Sequence, residues 1–277
     1  MEINSTWQST NDLLSLKFTT LTASREGVLY AGTEGHGVVQ FSPLRSWESA
    51  SEGLPAQVHV YRLDWVETQL FASTSHGLYH LEEEIWQQTS VTDPCYAAIG
   101  WGDRFVLTEN GLLCGNDDEW LPLAYRGKKT YDLLVTPHFI FLGYEDGVAF
   151  YDLFTGEWCS MPLNQAVTSL AVFNTMLVGT TERGGLVVGN KNGGFNQHRF
   201  DGMFLNRLVT HRGEVYVCAN TGLYKLSEIR GNVMLHALNA QAEVTDLLIW
   251  RDMMVISTRD SGIKYKHADK TGFQTVL

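Results

Sequence analysis

The sequence has few prolines and no long hydrophobic run. Its 277 residues include 6 prolines against 26 glycines, a ratio typical of many tight turns rather than of a proline-rich linker. No apolar stretch approaches the ~18 residues of a membrane helix. The opening residues lack the basic and apolar regions of a signal peptide. We therefore expect a cytoplasmic protein that does not contact a membrane.

Positive charge is also scarce. The chain contains 20 lysines and arginines against 31 aspartates and glutamates, which gives a formal net charge of −11. Binding to nucleic acid needs a basic face that can neutralise phosphates. The single basic clump, Arg126 to Lys129, is short. The composition therefore predicts no nucleic-acid partner.

Cysteines are few and widely spaced, at Cys95, Cys114, Cys159 and Cys218. No CxxC pair occurs, and the histidines show no metal-ligand spacing such as HxxxH. We expect four reduced thiols; the alternative is two disulfides in an exported protein. The sequence predicts no metal site.

Local catalytic motifs are missing as well. The chain contains no GxSxG nucleophile turn, no phosphate-binding P-loop and no dinucleotide-binding glycine pattern. We predict no cofactor and name no catalytic residue. Enzymes can still assemble a site from loops that are distant in sequence, so an enzyme remains an alternative.

What the sequence does contain is a repeat, seen first in residues 28–41, where an apolar strand, a glycine turn and a second apolar strand follow one another. The turn glycine returns about every 38 residues, close to the repeat length of propeller blades. Glycine suits such a turn because it adopts positive φ without strain. The seven turn glycines are Gly37, Gly77, Gly111, Gly147, Gly185, Gly222 and Gly262.

Each repeat has two further strands. An outer strand follows the hairpin and is usually marked by an aromatic residue, at Trp47, Trp86, Trp120, Trp158, Phe195 and Phe273; the sixth repeat offers residues 233–235 instead. An inner strand precedes each hairpin and is predicted in the first repeat at residues 13–16. Four strands per repeat predict an all-β protein, a seven-bladed β-propeller with four antiparallel strands per blade in one domain, 1–277. A β-solenoid would have shorter coils, and a β-sandwich would not repeat.

Two segments compete to close the ring. Trp7 resembles an outer-strand aromatic without a hairpin of its own, whereas residues 272–276 resemble a complete outer strand for the last repeat. The sequence does not choose between them.

The hairpin phrase resembles a known repeat. Residues 31–38 and 73–79 are similar to the "GT-x-x-GL-y" repeat of two-component-regulator-type propellers. The resemblance implies blade geometry, and it implies ligand sensing or contacts inside larger receptors for that family. A weaker similarity links residues 190–195 and 268–273 to the Asp-box turn of sialidase-like propellers, although both depart from its pattern.

Candidate site residues come from aligning the seven inner strands. The third position of these strands is mostly polar and the fourth is mostly leucine, so one face should be core and the other should line the channel. The third-position residues are Ser15, Arg62, Ala97, Asp132, Ser169, Arg207 and Asp246. Arg207 and Asp246 belong to neighbouring blades and can pair. Arg62 has no acidic neighbour in the column, which makes it a candidate anion binder.

The residue that enters each inner strand defines a second ring. Its members are Asp12, His59, Pro94, Lys129, Ala166, Phe204 and Glu243. Within this ring, His59, Asp12 and Glu243 are the side chains able to perform acid–base work or to share a metal.

Two hypotheses follow. The first is a binding or interaction module that holds a protein or a small anionic ligand at the channel mouth, using His59, Arg62, Asp132, Arg207 and Asp246. The alternative is an enzyme (a hydrolase, lyase or cyclase) with its active site at the same mouth, where Arg62 binds an anionic group and His59, Asp132 or Asp246 transfers protons.

Overall fold

A computed structural model describes residues 15–42, 45–116, 119–267 and 272–275. These residues form seven antiparallel sheets of four strands, and the strands of each sheet lie in chain order. The first strand of each sheet contacts the first strand of the next, and the last sheet contacts the first. The predicted all-β, seven-bladed propeller is therefore confirmed.

Strands β1 to β16 build the first four blades. They are β1 (Phe18–Ala23), β2 (Leu29–Thr33), β3 (Val38–Ser42), β4 (Arg45–Ser49), β5 (Val60–Val66), β6 (Gln69–Thr74), β7 (Gly77–Glu82), β8 (Ile85–Gln88), β9 (Cys95–Trp101), β10 (Asp103–Thr108), β11 (Gly111–Gly115), β12 (Trp120–Ala124), β13 (Thr130–Val135), β14 (Phe139–Tyr144), β15 (Gly147–Asp152) and β16 (Glu157–Pro162).

Strands β17 to β28 build the remaining three blades. They are β17 (Val167–Phe173), β18 (Met176–Thr181), β19 (Leu186–Gly189), β20 (Phe195–His198), β21 (Leu205–His211), β22 (Glu214–Ala219), β23 (Gly222–Ile229), β24 (Asn232–Ala237), β25 (Val244–Trp250), β26 (Met253–Thr258), β27 (Ile263–His267) and β28 (Gln274–Thr275). The sixth blade thus has an outer strand, β24, at the place where its aromatic marker is missing.

A threonine closes the hairpin between the second and third strands of several blades. The hydroxyl of Thr74 donates to the carbonyl oxygen of Gly77 (2.7 Å) and accepts from the N–H of His76 (3.0 Å). Gly77 has a φ of +108°, and a Cβ there would lie 2.2 Å from the carbonyl oxygen of Val91, so only glycine fits. The same pair of hydroxyl bonds is made by Thr33, Thr108 and Thr258.

The fifth blade differs at this turn. Here the residue with positive φ is Gly184 (+71°) and not the predicted Gly185. Gly185 donates its N–H to the hydroxyl of Thr181 (3.1 Å).

The hydrophobic core is divided among the interfaces between blades. Seven clusters of buried side chains are present, and each cluster joins two neighbouring blades. Leu107 and Leu142 pack together between the third and fourth blades. Leu21, Val255 and Ile263 do the same between the first and the seventh, where the ring closes. Each blade therefore buries its two faces against its neighbours.

The predicted position of the first inner strand is wrong. The strand begins at Phe18, so Thr20 occupies the place that the alignment assigned to Ser15. Residues 13 and 14 lie outside the described residues. The fourth strand of the seventh blade is β28, which pairs with β27. Trp7, the competing marker for closure, also lies outside the described residues.

The sequence predicts reduced cysteines and no membrane-spanning helix. Cys95, Cys114, Cys159 and Cys218 are free thiols, and Cys95 and Cys218 are buried. Burial raises the pKa of both buried thiols well above the ordinary value. Across the described ranges there is no helix with the length and apolar character needed to cross a membrane.

Candidate functional site

The inner strand of every blade carries a β-bulge next to its first residue. In the second blade Val60 pairs with Thr74 and Arg62 pairs with Ser73, so Tyr61 is an extra residue without a partner. The same shift of register occurs in the other six blades. A bulge re-aims the side chain that it inserts and increases the local twist. Here it turns an additional side chain of each blade toward the channel.

The seven bulged residues surround one cavity. They are Thr19, Tyr61, Tyr96, Tyr131, Thr168, Asn206 and Thr245, and all of them line a space of about 360 Å³ at one mouth of the channel. That volume lies in the range of small-molecule sites. The channel mouth is therefore open, and its shape is set by the bulges.

One side of the cavity is a wall of tyrosines from three consecutive blades. The ring centroids of Tyr61 and Tyr96 are 5.1 Å apart, and those of Tyr96 and Tyr131 are 5.0 Å apart, with 45° between the planes in both pairs. The blades of a seven-fold ring are related by rotations of ~51°, so the three rings follow the rotation of the propeller. His59 stacks on Tyr61 with its ring centroid at 4.4 Å.

The tyrosine hydroxyls are neutral and available. Burial raises the pKa of Tyr61 and Tyr131 above the ordinary value, and it raises the pKa of Tyr96 to about 12. None of the three hydroxyls bonds to another group within the ranges that the structure describes. Each can therefore donate one hydrogen bond to a ligand and can also accept.

The opposite side of the cavity is polar and internally bonded. The hydroxyl of Thr168 contacts that of Thr180 (3.2 Å), and the hydroxyl of Thr245 contacts that of Ser257 (2.8 Å). Backbone carbonyls accept hydrogen bonds from the two remaining members, Thr19 and Asn206. This wall consequently has fewer free donors than the tyrosine wall.

Two arginines at the floor of the cavity are held by aspartates. Arg62 donates from Nε to Asp64 (2.8 Å) and from Nη1 to Asp132 (2.9 Å). Burial opposes the charge of Arg62, but these two carboxylates raise its pKa. Burial also raises the pKa of Asp64, and the nearby arginines offset part of that shift. Arg207 donates from Nη1 to Asp246 at 2.9 Å.

The arginines keep donors for a ligand. Arg62 Nη2, and Nε and Nη2 of Arg207, donate to no group among the residues that the structure describes. Both side chains are 22% exposed and both line the cavity. The aspartates behind them are 14% exposed or less and do not line it. Guanidinium groups held from behind in this way present their free N–H groups to carboxylate or phosphate oxygens.

The aspartates also join the blades to one another. Asp132 accepts a hydrogen bond from the N–H of Leu170 in the next blade (2.8 Å), and Asp246 accepts one from Leu21 across the closure (3.0 Å). Asp64 accepts in the same way from Ala98 (3.1 Å). The polar column found in the sequence thus satisfies backbone groups between blades, in keeping with the rule that buried polar groups are paired.

The rim above the cavity carries a ring of polar side chains, five of which are charged. It consists of the residues that follow the second strands: Glu34, Ser75, Glu109, Glu145, Glu182, Asn220 and Arg259. Arg259 bridges Glu243 (2.9 Å) and Glu34 (3.2 Å), and Lys129 pairs with Glu109. Glu182 lines the cavity and makes no ion pair or hydrogen bond through its carboxylate within the described ranges.

Of the five predicted site residues, the structure brings four together in the hub, as the pairs Arg62 with Asp132 and Arg207 with Asp246. His59 lies apart on the rim and makes no hydrogen bond to either aspartate in the described structure. Burial lowers the pKa of His59, while Glu34 raises it and Arg259 lowers it further. Arg62 has two carboxylate partners, one of them on its own strand, where the column alignment could not find it.

The sequence alignment missed the tyrosine wall and the glutamates of the rim. Tyr61, Tyr96 and Tyr131 stand at the second position of the inner strands, which strict alternation places on the core face together with the fourth. The bulge breaks that alternation. The signal was present as three tyrosines at one position in consecutive repeats. The rim glutamates were also visible, because each follows the last residue of a second strand.

The geometry defines the molecule as a seven-bladed β-propeller with an open, bulge-lined channel mouth. No family model matches the chain, and no curated protein matches it. Solved structures do. The extracellular domain assigned to a hybrid two component system from B. thetaiotaomicron superposes with a TM-score of 0.73 at 17% identity, over 91% of this chain. The chain spans 38% of the length of that structure.

Two other propellers extend the comparison. Virginiamycin B lyase from Staphylococcus aureus matches with a TM-score of 0.70 at 9% identity, covering 89% of this chain and 93% of its own. BamB from Moraxella catarrhalis matches with a TM-score of 0.60 at 14% identity, over 90% and 85% of the two chains. At these identities the likeness establishes the fold. The resemblance to two-component-regulator propellers is thereby confirmed at the level of the fold.

Proposed function

We propose that this protein is a binding module that holds a small ligand at the mouth of its central channel. The observation that supports the proposal most is the set of unused donors around one cavity. Tyr61, Tyr96, Tyr131, Arg62 and Arg207, which carry these donors, all line the same space. Ligand sites are concave and contain a few convergent polar groups beside aromatic walls, which is the arrangement found here.

The ligand that suits these donors carries an anionic or acceptor-rich group. A carboxylate or phosphate accepts from the guanidinium fork and from phenol hydroxyls. Asp64, Asp132 and Asp246 hold the two arginines in place before the ligand arrives, so less conformational freedom is lost on binding. The enzymatic alternative has weaker support, since His59 lies away from the hub aspartates and these are already bonded.

A thermal-shift screen tests the proposal. The wild type is mixed with a panel of small carboxylates and phosphates, and a ligand of the native state raises the melting temperature by an amount that grows with the logarithm of its concentration over Kd. Tyr96→Leu removes the middle of the tyrosine wall. Tyr151→Leu makes the same chemical change on β15, where the ring packs against Trp158 outside the cavity.

The expected result is at least one compound that stabilises the wild type and Tyr151→Leu and loses at least five-fold in affinity for Tyr96→Leu, the size of effect typical of an aromatic contact. A compound that stabilises all three proteins equally would place the site elsewhere. A protein partner bound across the rim would not depend on Tyr96 in this way.

A further inference from the structure

We propose that the ligand is a zwitterionic amino acid with an apolar side chain. Its carboxylate would accept from Arg62 and Arg207, its ammonium would pair with Glu182, and its side chain would lie against the tyrosine wall. This inference rests on the proposed function and names the ligand class of the same site.

The first step concerns charge. Two arginines and three aspartates form the hub, so its net charge is negative by one. On the rim, Arg259 is shared by Glu34 and Glu243, which leaves a second excess negative charge. A bare anion would approach the N–H donors of the arginines against this field. A ligand that also carries a positive group avoids that repulsion.

The second step locates the positive group. Glu182 lines the same cavity as the two arginines, and its carboxylate has no partner in the described part of the chain. The corresponding rim glutamates of the first, third and fourth blades are all paired with a lysine or arginine. Glu182 is thus the rim carboxylate that remains free to pair with an ammonium group.

The third step concerns the body of the ligand. The tyrosine wall and Phe204, which is 43% exposed at the mouth, give the cavity apolar surface between its charged groups. Phe204 lies over Gly184, where a Cβ would come within 2.6 Å of its ring. An apolar side chain placed against this surface removes apolar area from water, which favours binding. A cavity of about 360 Å³ suits a ligand of amino-acid size.

Three compounds with one phenyl ring separate the two charges. They are L-phenylalanine, 3-phenylpropionate, which lacks the ammonium group, and phenethylamine, which lacks the carboxylate. Their affinities are measured by NMR titration at low salt against the wild type and Glu182→Gln, a rim substitution that preserves shape. Glu109→Gln is the matched control, because Glu109 occupies the corresponding position and is already paired with Lys129.

We expect wild type to bind phenylalanine about ten-fold more tightly than either partial compound, since each lost ion pair removes a charge-assisted hydrogen bond. Glu182→Gln should weaken phenylalanine and phenethylamine by about 2- to 5-fold, the range of a solvent-exposed ion pair, and should leave 3-phenylpropionate unchanged. Glu109→Gln should change all three by less than two-fold, because Glu109 is already paired with Lys129.

Equal binding of phenylalanine and 3-phenylpropionate would overturn the amino-acid inference, and so would a Glu182→Gln variant that weakens all three compounds alike. The proposed function would survive if 3-phenylpropionate, or a compound from the carboxylate and phosphate panel, still bound in a Tyr96-dependent manner. If neither the three probes nor that panel bound, both proposals would fail.

Discussion

The buried side chain of Asp246 accepts hydrogen bonds from several parts of the molecule. Its two carboxylate oxygens accept four hydrogen bonds, from Arg207 Nη1, the hydroxyl of Thr20 and the N–H groups of Leu21 and Leu247, all between 2.9 and 3.0 Å. The side chain is 3% exposed. Two of these donors belong to the first blade, so this residue ties the end of the ring to its beginning.

Asp246→Asn should therefore lower the free energy of unfolding by ~3–5 kcal/mol, because it removes the ion pair with Arg207 and replaces an oxygen that accepts hydrogen bonds with a nitrogen that cannot accept them. Arg207→Met should lower it by only ~1–2 kcal/mol, since Asp246 keeps its three other donors. Urea unfolding of both variants measures the difference. Equal losses would show that the ion pair, and not the bonds to the first blade, accounts for the role of Asp246.

At the scale of the strand and turn, a threonine whose hydroxyl closes the hairpin recurs in four of the seven blades. Thr74 is completely buried, and its hydroxyl both donates and accepts within the turn.

Thr74→Val keeps the shape of the side chain and removes both hydrogen bonds, leaving the carbonyl of Gly77 without that donor. We expect a loss of ~1–3 kcal/mol in urea unfolding. Thr155→Val, in the exposed turn before β16, is the control and should change stability by less than ~0.5 kcal/mol. If both variants lost the same free energy of unfolding, the hydroxyl of Thr74 would have no special part in stabilising the turn.

The elements also show how far the sequence could predict the structure. The hairpins and outer strands follow from the apolar pattern and the turn glycines, because local periodicity decides them. The first inner strand was misplaced because residues 13–16 show the same order of a polar residue followed by leucine as residues 18–21, where β1 begins. The bulges of the inner strands hid Tyr96 and its neighbours. Ion pairs across the channel, such as Arg62 with Asp132, depend on ring geometry and could not be read from adjacent repeats.

At the scale of the whole molecule, each blade depends on both neighbours. Every hydrophobic cluster spans two blades, and the cluster at the closure has the same character as the others. A linear repeat array has two free ends from which unfolding can begin, whereas a closed ring has none. The interface between the first and seventh blades should accordingly be as stable as any other interface between blades.

Two matched substitutions test that equivalence. Ile263→Ala creates a cavity at the closure, and Leu142→Ala creates one between the third and fourth blades; the two side chains are 4% and 0% exposed. Each should lower the free energy of unfolding by ~2–5 kcal/mol. Tryptophan fluorescence and far-UV circular dichroism should report one shared transition in both variants, because the loss of any interface opens the ring. If Ile263→Ala alone separated the two signals, the seam between the first and seventh blades would be an independent weak point, and the ring would behave as an open array held at its ends.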